Sequence, residues 1–365
     1  MSGFARAFVD TFRAVFRDRA ALTTLVGAVV LYSFFYPAAY HHQVASQLPL
    51  VVVDQDRSAS SRALVRRLQA LRAVRVAGMA GSMDEARVAV EQGDAEAVLL
   101  VDAGFERDIL RGGQGRLALL GNGAMLGRAS TVLQGAALAI TAEARGLAAT
   151  QARFAGAPAA PALALVERPL FNTAEGYGSY VVPGVAALIV QQTLWLGVVV
   201  MAGTRREREG RLRFSRPRLA GIAAAFAVFG LLGLLYFSGF VFWLQDYPRG
   251  GNPAGVLLGA ALFVLAVVGF AMFVGSFFRT RERAFQLIVV TSLPMFFLSS
   301  LPWPVEAMPR LLAWSARLLP STPGINAMVK LNQMGASLAE AAPELVNLAV
   351  LAVLYGALAV WRYRP

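Results

Sequence analysis

The chain has 365 residues, of which 57% are hydrophobic and 15% charged, and its formal net charge is +12 at pH 7. A soluble domain carries about 25% charged residues, so this composition argues against an ordinary soluble protein. The chain has no cysteine, which excludes disulfides and thiolate metal sites. We interpret its two histidines, His41 and His42, as part of an interfacial loop rather than a metal site.

The chain begins with a predicted amphipathic helix over residues 1–19. Phenylalanines recur every four positions, which places them on one helix face with arginines opposite. This pattern is typical of a helix lying in the membrane interface, although packing against a partner subunit would produce it as well. The phenylalanines are Phe4, Phe8, Phe12 and Phe16.

Residues 41–176 are predicted to form an α/β domain, because short apolar runs alternate with helical patterns. Strands are expected at 49–53, 73–76, 97–101 and 117–120, and helices at 58–70, 83–92, 104–110 and 125–147. Ser58 or Ser60 and Ser82 are plausible helix caps. We interpret Asp54 and Asp56 as a capped turn rather than an acid pair or metal site, and we expect no catalytic residue in this domain.

Six charge-free segments predict membrane spans, because about 20 apolar residues cross a bilayer core. The fold class is therefore an α-helical membrane protein with six transmembrane helices and an inserted α/β domain. Residues 306–344, between the last two spans, are too polar or broken to span and predict re-entrant or interfacial helices. The spans are 20–40, 177–204, 219–245, 250–278, 284–305 and 345–361.

The arginines predict the orientation of these spans. Sixteen basic residues lie in segments on one side, including 1–19, the loop 205–218 and the tail 362–365, whereas the two short loops opposite hold four. The positive-inside rule then places both termini in the cytoplasm and residues 41–176 outside. Residues 41–176 are nearly neutral, so the basic excess is a topology signal, and we expect membrane lipid but no nucleic acid as a partner.

Short motifs around the second predicted span resemble those of the type-2 ABC transporter permease family. Pro183-Gly184 resembles the pair that opens this span, and Arg206-Glu207-Arg208-Glu209-Gly210 resembles the stretch that closes it. Arg168-Pro169-Leu170-Phe171-Asn172 is similar to the approach segment, and Pro49–Asp54 with Ser58 to the start of the outer domain in large-domain members. One departure is that residues 211–217 keep the family's proline but lack its second acid.

This resemblance implies a permease subunit of an ATP-driven exporter in the bacterial inner membrane. The chain would not itself be an enzyme, and ATP and Mg would be bound by a separate ABC ATPase subunit. The chain has one lysine, Lys330, and no P-loop, in agreement with that division. The resemblance assigns Arg206, Glu207, Arg208, Glu209 and Gly210 to ATPase coupling, and implies a second permease copy or paralogue. A periplasmic membrane-fusion adaptor is a further candidate partner.

The predicted spans lack acidic and basic residues, which disfavours an ion-coupled secondary transporter. A membrane-anchored sensor or assembly factor that uses the outer domain is the other alternative. A path without charge suits an amphipathic or lipophilic substrate. The same polar residues could instead bond neighbouring helices. The candidate path-lining residues are Gln191, Gln192, Thr193, Gln286, Thr291, Ser292, Phe296 and Phe297.

Overall fold

The computed structural model describes residues 2–40, 46–111, 113–123, 126–154, 171–172, 176–210 and 212–364. They belong to two compact units: an α/β unit within Val44–Arg168, and a helical unit formed by Met1–Gln43 with Pro169–Pro365. His41, His42, Arg211 and residues 168–170 of the approach segment lie outside the described residues.

The described elements follow in chain order, with two helices before the α/β unit and seven after it. They are α1 (Gly3–Arg17), α2 (Arg19–Ala39), β1 (Leu48–Asp54), α3 (Ala59–Gln69), β2 (Val74–Met79), α4 (Met83–Glu91), β3 (Ala97–Val101), α5 (Phe105–Leu110), β4 (Leu117–Gly121), α6 (Leu126–Phe154), α7 (Tyr177–Glu209), α8 (Arg216–Leu244), α9 (Pro253–Gly275), α10 (Arg281–Phe297), α11 (Arg310–Leu318), α12 (Ser321–Met328) and α13 (Ala342–Arg362).

The α/β unit is built on one four-stranded sheet in the order β2-β1-β3-β4. β1 runs parallel to β2 and β3, and β4 runs antiparallel to β3. Leu50 and Val52 of β1 face a core shared with α3 and α6, while Val51 and Val53 face a second core that includes Ala86 of α4. Apolar residues on both faces of β1 are what a central strand covered by helices on either side requires.

Local capping accounts for several helix starts in the α/β unit. The hydroxyls of Ser58 and Ser82 accept hydrogen bonds from Ser61 N and Glu85 N, which confirms Ser58 and Ser82 as caps. Ser60 instead donates to Glu106 Oε1, at 2.8 Å.

The two acids after β1 also serve turns, as predicted. Asp54 Oδ1 accepts from the backbone N–H groups of Asp56 and Arg57, at 3.0 and 2.8 Å. Asp56 accepts from the N–H groups of Gly104 and Glu106 at the start of α5. Desolvation raises the pKa of Asp56, but hydrogen bonds from Ser58, Glu106 and Gly104 outweigh it and hold the pKa below its ordinary value. Among the described residues, no group of His, Asp and Glu has the arrangement of a metal site.

The helical unit contains five described helices that are long and apolar enough to cross a membrane: α2, α7, α8, α9 and α13. The fifth predicted span, 284–305, is helical only up to Phe297, so α10 is a 17-residue helix that does not reach the length of the other five. The segment predicted to hold interfacial helices contains α11 and α12, followed by a π-helical turn at Val329–Gln333.

The N-terminal helix α1 packs against α8. A β-carbon on Gly221 of α8 would meet the carbonyl oxygen of Phe4, so only glycine permits the two helices to come this close. The buried face of α1 is formed by Ala7, Thr11 and Val15. The phenylalanine stripe lies on its flank, where Phe12 stacks on Phe229 of α8, with 4.7 Å between ring centroids, while Phe4 and Phe16 remain exposed.

Candidate functional site

The long helix α7 carries the charged motif at its end. It has 33 residues, whereas about 20 are needed to cross a bilayer core, so its last turns extend beyond the apolar part. The helix ends at Gly210, whose φ of 73° lies in the region that favours glycine. The side chains from Glu207 to Gly210 are exposed, and Arg206 is half-buried.

Arg206 closes the end of a neighbouring helix. Its Nη1 donates to the carbonyl oxygens of Ser276 and Phe278, at 2.9 and 2.7 Å. These carbonyls lie just past α9, where the last carbonyls of a helix have no partner within the helix. Arg206 therefore supplies the donor that the chain after α9 would otherwise lack.

Glu207 bonds the start of the next helix. Its Oε1 accepts from the backbone N–H of Arg281, the first residue of α10, at 2.9 Å. A carboxylate at a helix N-terminus is also favoured by the helix dipole. One turn earlier, a β-carbon on Gly203 would lie 3.0 Å from the backbone of Arg281, so α7 and α10 approach closely at this glycine. We call Gly203, Arg206 and Glu207, with the segment 276–281, the loop clamp.

Arg205 lies on the other side of α7. A spacing of four on a helix allows ion pairs between Arg205 and Glu209 and between Glu207 and Arg211. Arg211 lies outside the described residues. Among the described ion pairs Arg205 has none, and its Nη2 donates instead to Thr11 Oγ1 of α1, at 3.4 Å. The amphipathic helix therefore lies beside the charged end of α7.

The chain after α7 is anchored to the end of the last helix. The N–H of Phe214 donates to the carbonyl oxygen of Tyr363, at 2.9 Å, and the two rings pack with centroids 5.7 Å apart. Burial raises the pKa of the Tyr363 phenol to about 12. Arg218 lies over the Phe214 ring, at 5.0 Å from its centroid. The charged loop is thus a structured surface, and Arg208, Glu209 and Gly210 are its exposed tip.

The path candidates of α7 lie in different surroundings. Gln191 is fully buried, and neither its amide oxygen nor its amide nitrogen has a hydrogen-bond partner. Thr193 donates to the carbonyl oxygen of Val190 in its own helix, at 3.1 Å. Gln192 Nε2 lies 3.5 Å from the sulfur of Met295, at the contact between α7 and α10.

The path candidates of α10 are mostly outside the core. Thr291 and Ser292 donate to carbonyls of their own helix, at 2.7 and 2.6 Å. Gln286 and Phe297 are exposed, and Phe296 is half-buried. The structure of one protomer therefore does not bring the eight residues into one cavity.

Trp195 is a buried polar residue that the sequence did not single out. It lies one turn after Gln191, its Nε1 has no hydrogen-bond partner, and its ring packs against Phe270 of α9 at 5.1 Å. A spacing of four places Gln191 and Trp195 on one helix face, and this spacing is the feature of the sequence that could have identified Trp195. Two buried polar side chains without partners are unusual in a membrane core, where each costs free energy.

Comparison with known sequences identifies relatives. The sequence profile described as ABC-2 family transporter protein matches residues 19–361. The probable multidrug ABC transporter permease YbhR of Escherichia coli (strain K12) is 29% identical over 153 residues, which are 40% of this chain and 41% of that protein. The linearmycin resistance permease protein LnrN of Bacillus subtilis (strain 168) is 28% identical over 119 residues, which are 32% of this chain and 30% of that protein. The chain thus aligns with less than half the length of either relative.

The loop clamp predicts that Arg206 is required for stability. Arg206→Ala leaves the carbonyls of Ser276 and Phe278 without their donor, so we expect the free energy of unfolding to fall by about 2 kcal/mol. Thermal unfolding of the purified protein in detergent measures this loss. The matched control is Arg208→Ala, an exposed arginine two positions on, with an expected change below about 0.5 kcal/mol. Equal losses from the two variants would contradict the clamp.

The buried amide of Gln191 predicts a substitution that raises the free energy of unfolding instead of lowering it. Gln191→Leu keeps a similar volume and removes two unpaired polar atoms, so we expect the free energy of unfolding to rise by about 1–3 kcal/mol. Thermal unfolding is again the measurement, and Gln286→Leu, at an exposed position of α10, is the control with little expected change. A clear destabilisation by Gln191→Leu would mean that the amide has a partner in the folded protein.

Proposed function

The chain belongs to the ABC-2 family of transporters, and from this membership we propose that it is the membrane-spanning permease subunit of an ATP-driven exporter. The match extends from residue 19 to residue 361, and this single observation carries the proposal. Two relatives are named for multidrug transport and linearmycin resistance. Their names and the uncharged spans support an amphipathic or lipophilic substrate.

In this proposal ATP and Mg are bound by a separate ABC ATPase subunit, which docks on the exposed tip of the charged loop. Arg208, Glu209 and Gly210 are free of the contacts that the loop clamp makes and are therefore available to a partner. Docking then also acts on α10, because a displacement of the end of α7 is transmitted through the Glu207 hydrogen bond to the first turn of α10.

The proposal includes a second permease copy or a paralogue. The helix α10 buries only Ala284, Ile288 and Met295, which form one narrow stripe. Much of the rest of its surface is apolar and exposed, including Val290 and Leu293. We propose that α10 with residues 298–305 forms the fifth of six spans and lies near the axis of a dimer. The candidate path residues of α7 and α10 would then line a path between the two copies.

We further propose that the arginine-rich loops face the cytoplasm of a bacterium and that the protein lies in the inner membrane. The asymmetry of basic residues supports this orientation. Both termini are then cytoplasmic, and the α/β unit is extracytoplasmic, where it is available to a periplasmic membrane-fusion adaptor.

The coupling assignment is tested at the tip of the loop. Glu209→Ala, or an insertion after Gly210, is expected to abolish ATPase-dependent transport in reconstituted vesicles without loss of membrane insertion. A carboxylate pairing with a basic partner typically contributes about 1–3 kcal/mol to a docked interface, so the affinity for the ATPase should fall about tenfold or more. Glu340→Ala, the same change at an exposed acid of the opposite loop, is the matched control. Normal transport by the Glu209 variant, or transport driven by a proton gradient without ATP, would contradict the proposal.

The orientation is tested with the single lysine and the absence of cysteine. A membrane-impermeant amine reagent added to spheroplasts should label Lys330, whose side chain is 35% exposed. The variant Arg208→Cys, at an exposed position, should react with an impermeant maleimide only after permeabilisation. Peptide mapping by mass spectrometry distinguishes Lys330 from the N-terminal amine. Labelling of the introduced thiol in intact spheroplasts would reverse the proposed topology.

A further inference from the structure

A polar cavity of about 710 Å³ lies at the end of the helical unit opposite the arginine-rich loops. It is enclosed by α12, the first turns of α13, the chain after α10 and the end of α11. Its position follows from helix direction, because α10 begins at Arg281 and α13 ends at Arg362, and the cavity lies at the other end of both. The polar residues of its wall used below are Arg317, Thr322, Asn326, Lys330, Glu344 and Asn347.

The wall is held by hydrogen bonds between segments far apart in sequence. Thr322 Oγ1 donates to the carbonyl oxygen of Leu298, at 2.8 Å. Ser300 Oγ donates to Asn326 Oδ1, also at 2.8 Å, and orients that amide. The cavity therefore has defined walls and is of the size that proteins use for small ligands.

Among the described side chains, the charges around the cavity do not balance. Lys330 Nζ donates to Glu344 Oε1, at 2.7 Å, and this ion pair forms one side. The second carboxylate oxygen, Glu344 Oε2, is buried and has no partner. Arg317 lies over the Trp314 ring, at 5.3 Å from its centroid, and has no ion pair among the described residues. Among the described groups of the wall, the Arg317 guanidinium is thus left for an anion.

The surface around the cavity is apolar and exposed. On α11, beside Arg317, Leu311 is 81% exposed and Trp314 is 67% exposed; on α13, next to Asn347, Val346 is 61% exposed. Exposed apolar surface of this kind in a membrane protein contacts hydrocarbon, and tryptophan is typical of the headgroup level. The cavity therefore opens beside apolar surface, which favours an amphiphile over a soluble molecule.

We propose that this cavity binds the headgroup of a phospholipid from the adjacent leaflet. The phosphate pairs with Arg317, whose planar guanidinium suits phosphate oxygens, and is close to the Lys330 ammonium. Thr322 and Asn347 provide further polar contacts to the headgroup. The acyl chains lie along the exposed apolar residues of α11 and α13. The site requires membrane insertion but does not depend on ATP-driven transport.

Lys330 is the only lysine in the chain and provides a reporter in the wall of the site. The full chain, purified in dodecyl maltoside, is treated with an amine-reactive reagent, and the labelling rate of the Lys330 peptide is measured by mass spectrometry. Phosphatidylglycerol is added in one series and digalactosyldiacylglycerol, which has no phosphate, in another. We expect phosphatidylglycerol to slow labelling about tenfold, because the bound headgroup covers the Lys330 ammonium when about nine sites in ten are occupied. The galactolipid should have little effect.

Arg317→Gln is the test variant, and Arg310→Gln, an exposed arginine at the start of α11 that is not part of the cavity wall, is the matched control. Protection by phosphatidylglycerol should disappear in the first and persist in the second. Thermal unfolding identifies a variant that has not folded, and native mass spectrometry of the same samples should show one fewer retained phosphatidylglycerol in Arg317→Gln.

Three outcomes would overturn the proposal. The first is equal protection by the galactolipid, because the site would then not recognise phosphate. The second is protection by millimolar glycerol 3-phosphate alone, because the ligand would then be a soluble phosphate rather than a lipid. The third is unchanged labelling with every addition in a folded wild-type protein.

Discussion

The helical unit depends on how the ends of its membrane helices are satisfied. The carbonyls after α9 and the amide at the start of α10 are polar groups that their own helices cannot pair. Arg206 and Glu207, neighbours at the end of α7, provide a cation for the first and an anion for the second. The end of α7 therefore determines where α9 and α10 meet, and Gly203 permits the close approach that this requires.

This arrangement divides the charged motif into two parts. Arg206 and Glu207 are used within the protomer, whereas Arg208 to Gly210 remain on the surface. A partner that binds the surface part acts on a helix end that is already bonded to α10. The proposed coupling therefore needs no new contact inside the membrane, because the contact between α7 and α10 already exists in the folded protomer.

Buried polar groups without partners also distinguish the helical unit from a helix bundle that has only a structural role. Gln191 and Trp195 carry buried polar atoms without partners, and a purely structural core would replace them with apolar residues. At the other end, Arg317 is the charge in the described wall of the cavity that has no ion pair, and the surrounding surface is apolar. Both features lower stability in the protomer alone, and both are accounted for if a substrate, a second copy or a lipid supplies the missing partner.

The sequence by itself determined the features that depend on neighbouring residues. Long apolar runs indicated the membrane helices, alternating short runs indicated the sheet, and Ser58, Ser82 and Asp54 were readable as caps and turns, because these effects act over a few positions. Only the tertiary structure decided which polar residues face one another. Arg206 meets carbonyls about 70 residues away, α1 is buried through Ala7 and Thr11 rather than its phenylalanines, and the cavity beside Arg317 joins segments from Ser300 to Asn347. Hydrophobicity and capping are local properties, whereas these contacts depend on how whole helices pack, which no short pattern specifies.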